Sequence, residues 1–210
     1  MQTLDEKKQQ AVWIAHSLFE RGKTSGTTAN LSFREGDVLW VTRSGSCFGT
    51  LSVKDLVPVR LNDGSLLHPE GPRPSKELPL HQMLYQNDPA IEAVLHTHSP
   101  SAVLWSCLNC CRGRDVLPHL TPYLQMKLGN VAAVPYAAPG SLELFALMKS
   151  ALGPERGYLL SHHGPIVGGK SLMNAFEAME ELEQTAWLAW QLRSCPELVT
   201  PMEAAYVPIP

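Results

Sequence analysis

The segment "SHHGPIVGGKS", residues Ser161–Ser171, is compatible with two different kinds of protein. From Gly164 it matches G-x-x-x-x-G-K-S/T, the phosphate-binding loop of nucleotide-binding proteins, in which Lys170 would contact phosphates and the following serine a magnesium ion. From its first residue it ends an apolar strand and carries His163 into a turn that Gly164 makes possible. The two interpretations predict different folds, and the rest of the chain separates them.

Length and composition favour a single globular domain over residues 1–210. The chain is 44% hydrophobic and 18% charged, and its formal net charge of -3 lacks the basic excess that nucleic-acid binding requires. The opening "MQTLDEKKQQ" differs from a secretory signal, and no stretch approaches the roughly 18 apolar residues of a membrane span. We therefore expect a soluble cytoplasmic protein with neither nucleic acid nor membrane as a partner.

The five cysteines argue against a disulfide framework. Cys107 and Cys110 in "WSCLNCC" form one C-x-x-C pair, but a zinc ribbon needs a second such pair, which the chain lacks. We expect reduced, structural thiols.

Hydrophobic periodicity predicts a mixed order of helices and short strands. A helix is expected over residues 4–21, ending at Gly22, and β-like runs follow at 30–34, 37–45 and 56–69, the last with a hairpin turn at Asp63-Gly64. Further helices are predicted from about Ser75, from Ser99-Pro100 with Ser99 as cap, and over 120–129, 141–152 and 171–193; further strands are predicted over 91–99, 131–136 and 158–162. This order predicts an α/β sandwich around a largely antiparallel sheet, and a tail over 196–210 that is irregular or reaches a neighbouring subunit.

The phosphate-loop interpretation fits this order poorly. Such a loop needs a later strand ending in an aspartate for magnesium, yet only 39 residues follow Ser171 and they are mainly one helix. "PIV" also places a proline and two β-branched residues where the backbone would have to curl around a phosphate. The sequence therefore favours the strand, histidine and turn.

A metal site is the chemistry that the histidines suggest. His96 and His98 in "LHTHS" are two apart in a predicted strand, so both rings can face one side while Thr97 faces the other. Taken alone, the pair favours a plain strand end with two half-exposed histidines. A third ring, His163, would complete three nitrogen ligands with an open fourth position, as in catalytic zinc sites. The other candidates for the third ligand are His16, His68, His81, His119 and His162, of which His162 is expected to point away, into packing or a supporting contact.

Glu77 in "PSKE" is the candidate acid beside the metal. A carboxylate in a cleft can bind the ion and, once a substrate displaces it, act as general base or acid. A solvated helix glutamate is the alternative. Ser75 and Lys76 precede it and suit anions at the start of a helix.

Two loops carry short hydrogen-bond donors that suit a small phosphate. "SGTTAN" contributes Thr27 and Asn30, and "TRSG" contributes Ser44 and Gly45. Each loop taken alone favours an ordinary turn.

Taken in order, "GTTANLS", "TRSG", "PSKELPLH", "HTHS" and "HHG" resemble the class II aldolase/adducin family across nearly the whole chain. The resemblance implies a class II aldolase-like three-layer sandwich with a mainly antiparallel sheet of about nine strands between helices. It also implies a homotetramer with sites at subunit boundaries and a Zn2+ ion, with Mn2+ or another divalent ion as alternatives. By motif position it assigns metal binding to His96, His98 and His163, catalysis to Glu77, and phosphate binding to Thr27, Asn30, Ser44, Gly45 and Ser75.

Within the family, "PSKELPLH", "VLPHLTPYLQMKLG", "VPYAAPGS" and "AMEELEQTAWL" are most similar to the 3-oxo-tetronate 4-phosphate decarboxylase branch. This implies decarboxylation of a phosphorylated sugar acid to dihydroxyacetone phosphate through an enediolate. Lys76 stands where aldolases more often have a second serine, and it could meet the additional carboxylate or the phosphate. Tyr123 is the implied proton donor, acting across a subunit interface, and Tyr206 is a weaker candidate.

Two alternatives stay open at this stage. An aldolase, epimerase or dehydratase acting on a sugar phosphate would pass through the same enediolate. An adducin-like interaction protein would not need three histidines and a glutamate at these positions, which favours an enzyme.

Overall fold

A computed structural model of the chain describes residues 2–193. Its α-helices are α1 (Leu4–Glu20), α2 (Leu78–Asn87), α3 (Pro100–Ser106), α4 (Pro122–Lys127), α5 (Leu142–Ala151) and α6 (Leu172–Leu192). Its strands are β1 (Asn30–Glu35), β2 (Val38–Thr42), β3 (Leu56–Arg60), β4 (Ala93–His96), β5 (Val131–Val134), β6 (Gly157–Leu160) and β7 (Gly164–Gly169). Among these described residues, no helix is both long enough and apolar enough to cross a membrane. The predicted tail over 196–210 lies outside the described residues.

The strands form one mixed sheet in the order β3-β2-β1-β4-β7-β6-β5. Only β5 and β6 pair in parallel; the other neighbours in this sheet of the described residues are antiparallel. The predicted count of about nine strands is therefore wrong, since residues 2–193 contain seven. Besides the pairings between the named strands, the described residues form two isolated β-bridges, one between Val59 and Leu66 and one between Arg43 and Pro74. Prolines 69, 72 and 74 lack the N–H groups that a longer ladder would need.

Helices cover both faces of the sheet and produce the expected three layers. One apolar core lies between the sheet and α1, α3, α4 and α6, and it includes Leu31, Phe33 and Leu95. The second lies between the opposite face and α2 and α5, and it includes Val94 and Ile166. Because side chains alternate along a strand, Leu31 and Phe33 face the first core and the intervening Ser32 faces α2.

The segment that matches the phosphate-loop pattern is a central strand. Residues 164–169 form β7, which pairs with β4 on one side and β6 on the other, so their backbone groups belong to the sheet. A Cβ at Gly169 would overlap the backbone of Ala175 in α6, which explains a glycine in this strand. The phosphate-loop interpretation is therefore excluded by the fold. β7 itself was not predicted, because glycine and proline are depleted in strands.

Candidate active site

Two elements bring the three histidines together. His96 is the last residue of β4, and the hairpin between β6 and β7 presents His163 beside it. The ring centroids are 5.1 Å apart for His96 and His98, 4.9 Å for His96 and His163, and 4.6 Å for His98 and His163. One ligand atom from each ring lies within 4.8 Å of the others, which makes this group the one candidate metal centre of three or more side chains in residues 2–193.

The hairpin loop reaches this position through an unusual backbone. Leu160 pairs with Gly164, which leaves a three-residue loop whose middle member, His162, has φ 54°. Gly164 has φ 150°, and a Cβ there would overlap the carbonyl oxygen of Thr97. A glycine at this position therefore lets the loop lie directly against the segment that carries His98.

His98 lies just beyond the strand that was predicted to carry it. Because β4 ends at His96, regular alternation does not extend to His98. Thr97 nevertheless faces away as expected, since its hydroxyl donates to Met179 Sδ of α6 at 3.3 Å. Glu183 of α6 accepts hydrogen bonds from the N–H groups of Ser101 and Ala102 at 3.0 and 2.8 Å and so caps α3.

Ser99 is the N-cap residue of α3, as predicted, but its buried hydroxyl makes no hydrogen bond within residues 2–193. The two carboxylate oxygens of Glu183 already hold the first free N–H groups of α3. This contact ties the residues immediately after His98 to the long helix α6.

Burial and hydrogen bonding keep the histidines in the form that binds metals. His96 Nδ1 lies 2.8 Å from the carbonyl oxygen of Pro165, so it donates its hydrogen there and leaves Nε2 unprotonated. Burial, helped by the neighbouring His98, lowers the pKa of His96 to about 3. Burial and His96 lower the pKa of His163 to about 3, and burial lowers the pKa of His98. Neutral rings with free lone pairs are what a divalent ion requires.

Glu77 is buried against two of these rings. Its Oε2 lies 3.3 Å from His96 Nε2, and its Oε1 lies 3.3 Å from His163 Nε2. Asn30 Nδ2 donates to Oε2 at 2.9 Å. Glu77 is the N-cap residue of α2, which begins at Leu78 and not near Ser75 as predicted. The alternative of a solvated helix glutamate is excluded, because the residue is only 8% exposed.

The buried polar atoms around this cluster fit a cation. Glu77 Oε1, His96 Nε2 and His163 Nδ1 are buried and have no hydrogen-bond partner among residues 2–193. Unpaired buried acceptors cost free energy, which a metal ion bonded to them would remove. The donor set of imidazoles and one carboxylate suits zinc or a similar divalent ion.

All six residues that were predicted to bind substrate line one cleft next to the histidines and Glu77. The cleft has a volume of about 320 Å³ and also contacts Glu77, His98 and His163. The six predicted residues are Thr27, Asn30, Ser44, Gly45, Ser75 and Lys76.

Backbone hydrogen bonds between two loops hold these residues together. Ser44 N donates to the carbonyl of Arg73 at 2.9 Å, and Ser75 N donates to the carbonyl of Thr42 at 3.0 Å. Ser75 Oγ accepts from Glu77 N at 3.3 Å. The loop that carries Ser44 therefore lies alongside the segment that leads to Glu77.

Arg43 is a residue of the cleft that the sequence motifs did not predict. It lines the cleft, and its guanidinium group bonds the carboxylate of Asp55. It directly precedes Ser44 in the quoted "TRSG", so a charged side chain next to a turn that was predicted to bind phosphate was the available signal. Arg43 and Lys76 give the cleft two cationic side chains.

Other predicted residues lie elsewhere. Tyr123 in α4 is 55% exposed and is not among the residues that line the cleft. Tyr206 lies outside the described residues. His162, expected in packing or a supporting contact, is exposed, with its ring edge-on to Tyr136 at a centroid distance of 5.8 Å. Within the described residues, four cysteines are free thiols, as predicted: Cys47, Cys107, Cys110 and Cys111.

A mixed sheet between helices, with three histidines and a buried carboxylate at one edge of a cleft lined by polar and cationic side chains, has the construction of a metal-dependent enzyme. The chain belongs to the family described as Class II Aldolase and Adducin N-terminal domain, whose model matches residues 9–190. The predicted family is confirmed, and this family is generally dependent on divalent metal ions.

Curated relatives include both decarboxylases and aldolases. The chain is 39% identical over 191 residues to the 3-oxo-tetronate 4-phosphate decarboxylase of Escherichia coli strain K12, covering 90% of this chain and 88% of that protein. It is 33% identical over 175 residues to an L-fuculose phosphate aldolase of Methanococcus maripaludis strain C7, covering 83% of this chain and 91% of that protein. The crystal structure of YgbL from Escherichia coli superimposes with a TM-score of 0.87 at 37% identity, covering 94% of this chain and 93% of that chain.

Proposed function

We propose that the chain is a divalent-metal-dependent carbon-carbon lyase that decarboxylates a 3-oxo-tetronate 4-phosphate to dihydroxyacetone phosphate and carbon dioxide. The observation that carries this proposal is one cleft in which a histidine triad and Glu77 adjoin two cations and several neutral donors. Curated relatives with this activity in their names, at 35% to 39% identity over most of the chain, give further support.

The charge of the cleft suits a substrate with two anionic ends. A 3-oxo-tetronate 4-phosphate carries a carboxylate on C1 and a phosphate on C4. Lys76 supplies positive charge, and Arg43 adds a guanidinium group whose charge is shared with Asp55. Neutral donors for the phosphate come from Thr27, Ser44, Gly45 and Ser75. Asn30 already uses both ends of its amide group, since Oδ1 contacts His81 and Nδ2 contacts Glu77, which leaves it one N–H for a ligand.

His96, His98 and His163 would hold the ion, with Glu77 beside it in the resting site. We propose zinc, with manganese or another divalent ion as the alternative. When bound, such an ion acts as a Lewis acid that stabilises negative charge on the 3-oxo oxygen.

In the reaction the C1–C2 bond breaks, carbon dioxide departs, and the electron pair stays on C2 and spreads toward the C3 oxygen. C2 then takes up a proton to give the hydroxymethyl group of dihydroxyacetone phosphate. In this proposal Glu77 would hold or deliver the proton, because substrate binding would free its carboxyl group from the metal centre. Tyr123, which is exposed on α4, would contribute only at the cleft of a neighbouring subunit.

The decisive experiment measures product release from purified protein. With zinc or manganese bound, 3-oxo-tetronate 4-phosphates should release carbon dioxide and dihydroxyacetone phosphate in equal amounts. A chelator should abolish turnover and added zinc or manganese should restore it. Full activity in protein shown to be metal-free would contradict the proposed site.

A sugar-phosphate aldolase is the second candidate, favoured by the relatives of that name at 33% identity. Epimerase and dehydratase activities share the same early chemistry. Release of an aldehyde from L-fuculose 1-phosphate with a higher kcat/KM than carbon dioxide release would assign the aldolase activity instead. An interaction protein without chemistry would gain nothing from buried histidines with unpaired nitrogens.

Three broader properties complete the proposal: one domain over residues 1–210, a homotetramer with clefts at subunit boundaries, and a cytoplasmic location. The exposed side chains of Tyr123, Trp187 and Trp190 supply apolar surface for contacts between subunits. Sedimentation equilibrium of the full chain should give four times the monomer mass of 23.1 kDa.

A further inference from the structure

A chain of buried hydrogen bonds leads from the catalytic carboxylate into the core. His81 Nε2 lies 2.6 Å from Asn30 Oδ1, and Asn30 Nδ2 donates to Glu77 at 2.9 Å. On its other side His81 Nδ1 lies 2.8 Å from Ser32 Oγ, which in turn lies 2.9 Å from the hydroxyl of Tyr85. Ser32 and His81 are fully buried, at 0% exposure, and Tyr85 is 2% exposed.

The spacing of residues in a helix and in a strand places these five groups in one hydrogen-bonded line, in the order Glu77, Asn30, His81, Ser32 and Tyr85. Glu77, His81 and Tyr85 are four residues apart at the start of α2 and along it, so they lie on the same side of the helix. Asn30 and Ser32 are two residues apart in β1 and face that side of the helix. Each contact in the line therefore joins the helix to the strand.

The position of every hydrogen in this line follows from Glu77. A carboxylate only accepts hydrogen bonds, so the amide nitrogen of Asn30 must face it and the amide oxygen must face His81. The oxygen can only accept, which places the ring hydrogen of His81 on Nε2. Burial lowers the pKa of His81 to about 3, so the ring is neutral and Nδ1 is bare.

The remaining two bonds then have a single direction. Ser32 donates its hydroxyl hydrogen to Nδ1 of His81, and its oxygen accepts from Tyr85. Burial raises the pKa of Tyr85, which keeps its hydroxyl as a donor. All four hydrogen bonds therefore point toward Glu77.

We infer that His81, in its Nε2–H tautomer, is a positioning residue that fixes Glu77 between His96 and His163 by holding the Asn30 amide in one orientation. The role of Glu77 in this inference rests on the proposed function. The tautomer of His81 does not, since it follows from the hydrogen-bond partners alone. Removal of a group that hydrogen-bonds directly to a metal-binding residue typically changes metal affinity or activity about 10-fold to 100-fold. Asn30 is such a group for Glu77, and without His81 its amide would be free to turn.

Three variants separate positioning from a merely structural contact. His81→Phe removes both ring nitrogens, and His81→Gln keeps an amide donor for Asn30. Tyr85→Phe removes only the hydroxyl at the far end of the line and serves as the matched control. Both phenylalanine variants leave one or more buried polar groups unpaired, so both should unfold at lower urea concentration than the wild-type protein.

Two measurements need no turnover. Nitrogen-15 NMR of the metal-free wild-type protein, with the signal assigned by its loss in His81→Gln, should show hydrogen on Nε2 of His81. The Mn2+ dissociation constant, measured by EPR of the free ion, should rise about 10-fold or more in His81→Phe, partly recover in His81→Gln, and stay within about twofold in Tyr85→Phe. Hydrogen on Nδ1, or equal Mn2+ affinities for the two phenylalanine variants, would overturn the inference.

Kinetics with 3-oxo-tetronate 4-phosphate and bound Mn2+ provide the third measurement. We expect kcat to fall about 10-fold to 100-fold in His81→Phe with KM within about twofold, and to recover at least partly in His81→Gln. An inactive wild-type protein would refute the proposed function, and the tautomer and the Mn2+ affinities would still decide the role of His81.

Discussion

The histidine half of the cleft, formed by His96, His98, His163 and Glu77, is set into the sheet, whereas the loop half, formed by Thr27, Ser44, Gly45 and Lys76, is made of exposed turns. In the histidine half, His96 donates to the carbonyl oxygen of Pro165 in β7, and Glu77 accepts from Asn30 in β1. Other buried polar atoms of this half have no hydrogen-bond partner within residues 2–193. In the loop half, each of the four residues is exposed. The two halves therefore differ in how much a single side chain contributes to the free energy of folding or binding.

This difference has a physical cause. A donor in the exposed half exchanges a hydrogen bond with water for one with the ligand, so its net contribution is small. In the buried half, water does not reach the polar groups. When one of them is removed, the acceptors that it contacted are therefore left without a hydrogen bond. We therefore expect large, all-or-none effects from changes in the histidine half and graded effects from changes in the loop half.

The largest expected effect comes from His98→Ala. His98 is half-buried and makes no hydrogen bond that holds the backbone, so the variant should fold but lose its metal ion. The several kcal/mol that a metal supplies to the reaction correspond to a loss of roughly a thousandfold or more in kcat/KM. Metal content by mass spectrometry and urea unfolding of the same sample check both parts. A variant with unaltered metal content would show that the wrong ligands were chosen.

A matched pair of glycine substitutions compares the backbones of the two halves. Gly164→Ala should lower the free energy of unfolding by at least about 3 kcal/mol, since its φ of 150° is strained for alanine and the new Cβ overlaps Thr97 O. Gly45→Ala has φ 75° and open space around the new Cβ, so only the backbone penalty of about 1 kcal/mol applies. Urea unfolding curves measure both, and equal losses would contradict the comparison.

The same contrast explains which parts of the fold were predictable. The amphipathic pattern predicted α1 over residues 4–21, and the structure has Leu4–Glu20, because that helix buries one regular face. β7 was missed, because "GPIVGG" owes its extended form to the two strands that flank it and not to its own residues.

The site was predictable only in part for a related reason. His96 and His98 were grouped from their spacing, although β4 ends at His96 and His98 reaches the site from beyond it. The line through Ser32 and His81 depends on the register between a strand and a distant helix, which no local pattern encodes. Sequence periodicity therefore predicted faces and spacings, whereas contacts between separate elements required the fold.

In the loop half, Lys76→Ser should produce an intermediate effect. A charged hydrogen bond contributes about 1.5–3 kcal/mol, so KM for a 3-oxo-tetronate 4-phosphate should rise roughly 10-fold to 100-fold, with metal content unchanged. Ser44→Ala, which removes a neutral donor from the same cleft, is the control and should raise KM less than about tenfold. Steady-state kinetics at saturating Mn2+ measure both values, and a larger effect from Ser44→Ala would mean that Lys76 does not bind the substrate.

Acid should weaken the metal-free protein through its buried histidines, in small steps spread over several pH units. Burial lowers the pKa values of His81 and His96 to about 3, from 6.5 in an exposed histidine. Below about pH 6.5 these histidines bind protons in the unfolded chain but stay neutral in the folded chain. The free energy of unfolding therefore falls as the pH falls toward 3. Each such histidine should lower the folding equilibrium constant by up to about tenfold per pH unit. His81→Gln removes one of these protons, so its urea midpoint should depend less steeply on pH between 6 and 4 than that of the wild-type protein. Equal pH slopes would mean that the His81 ring does become charged in the folded protein.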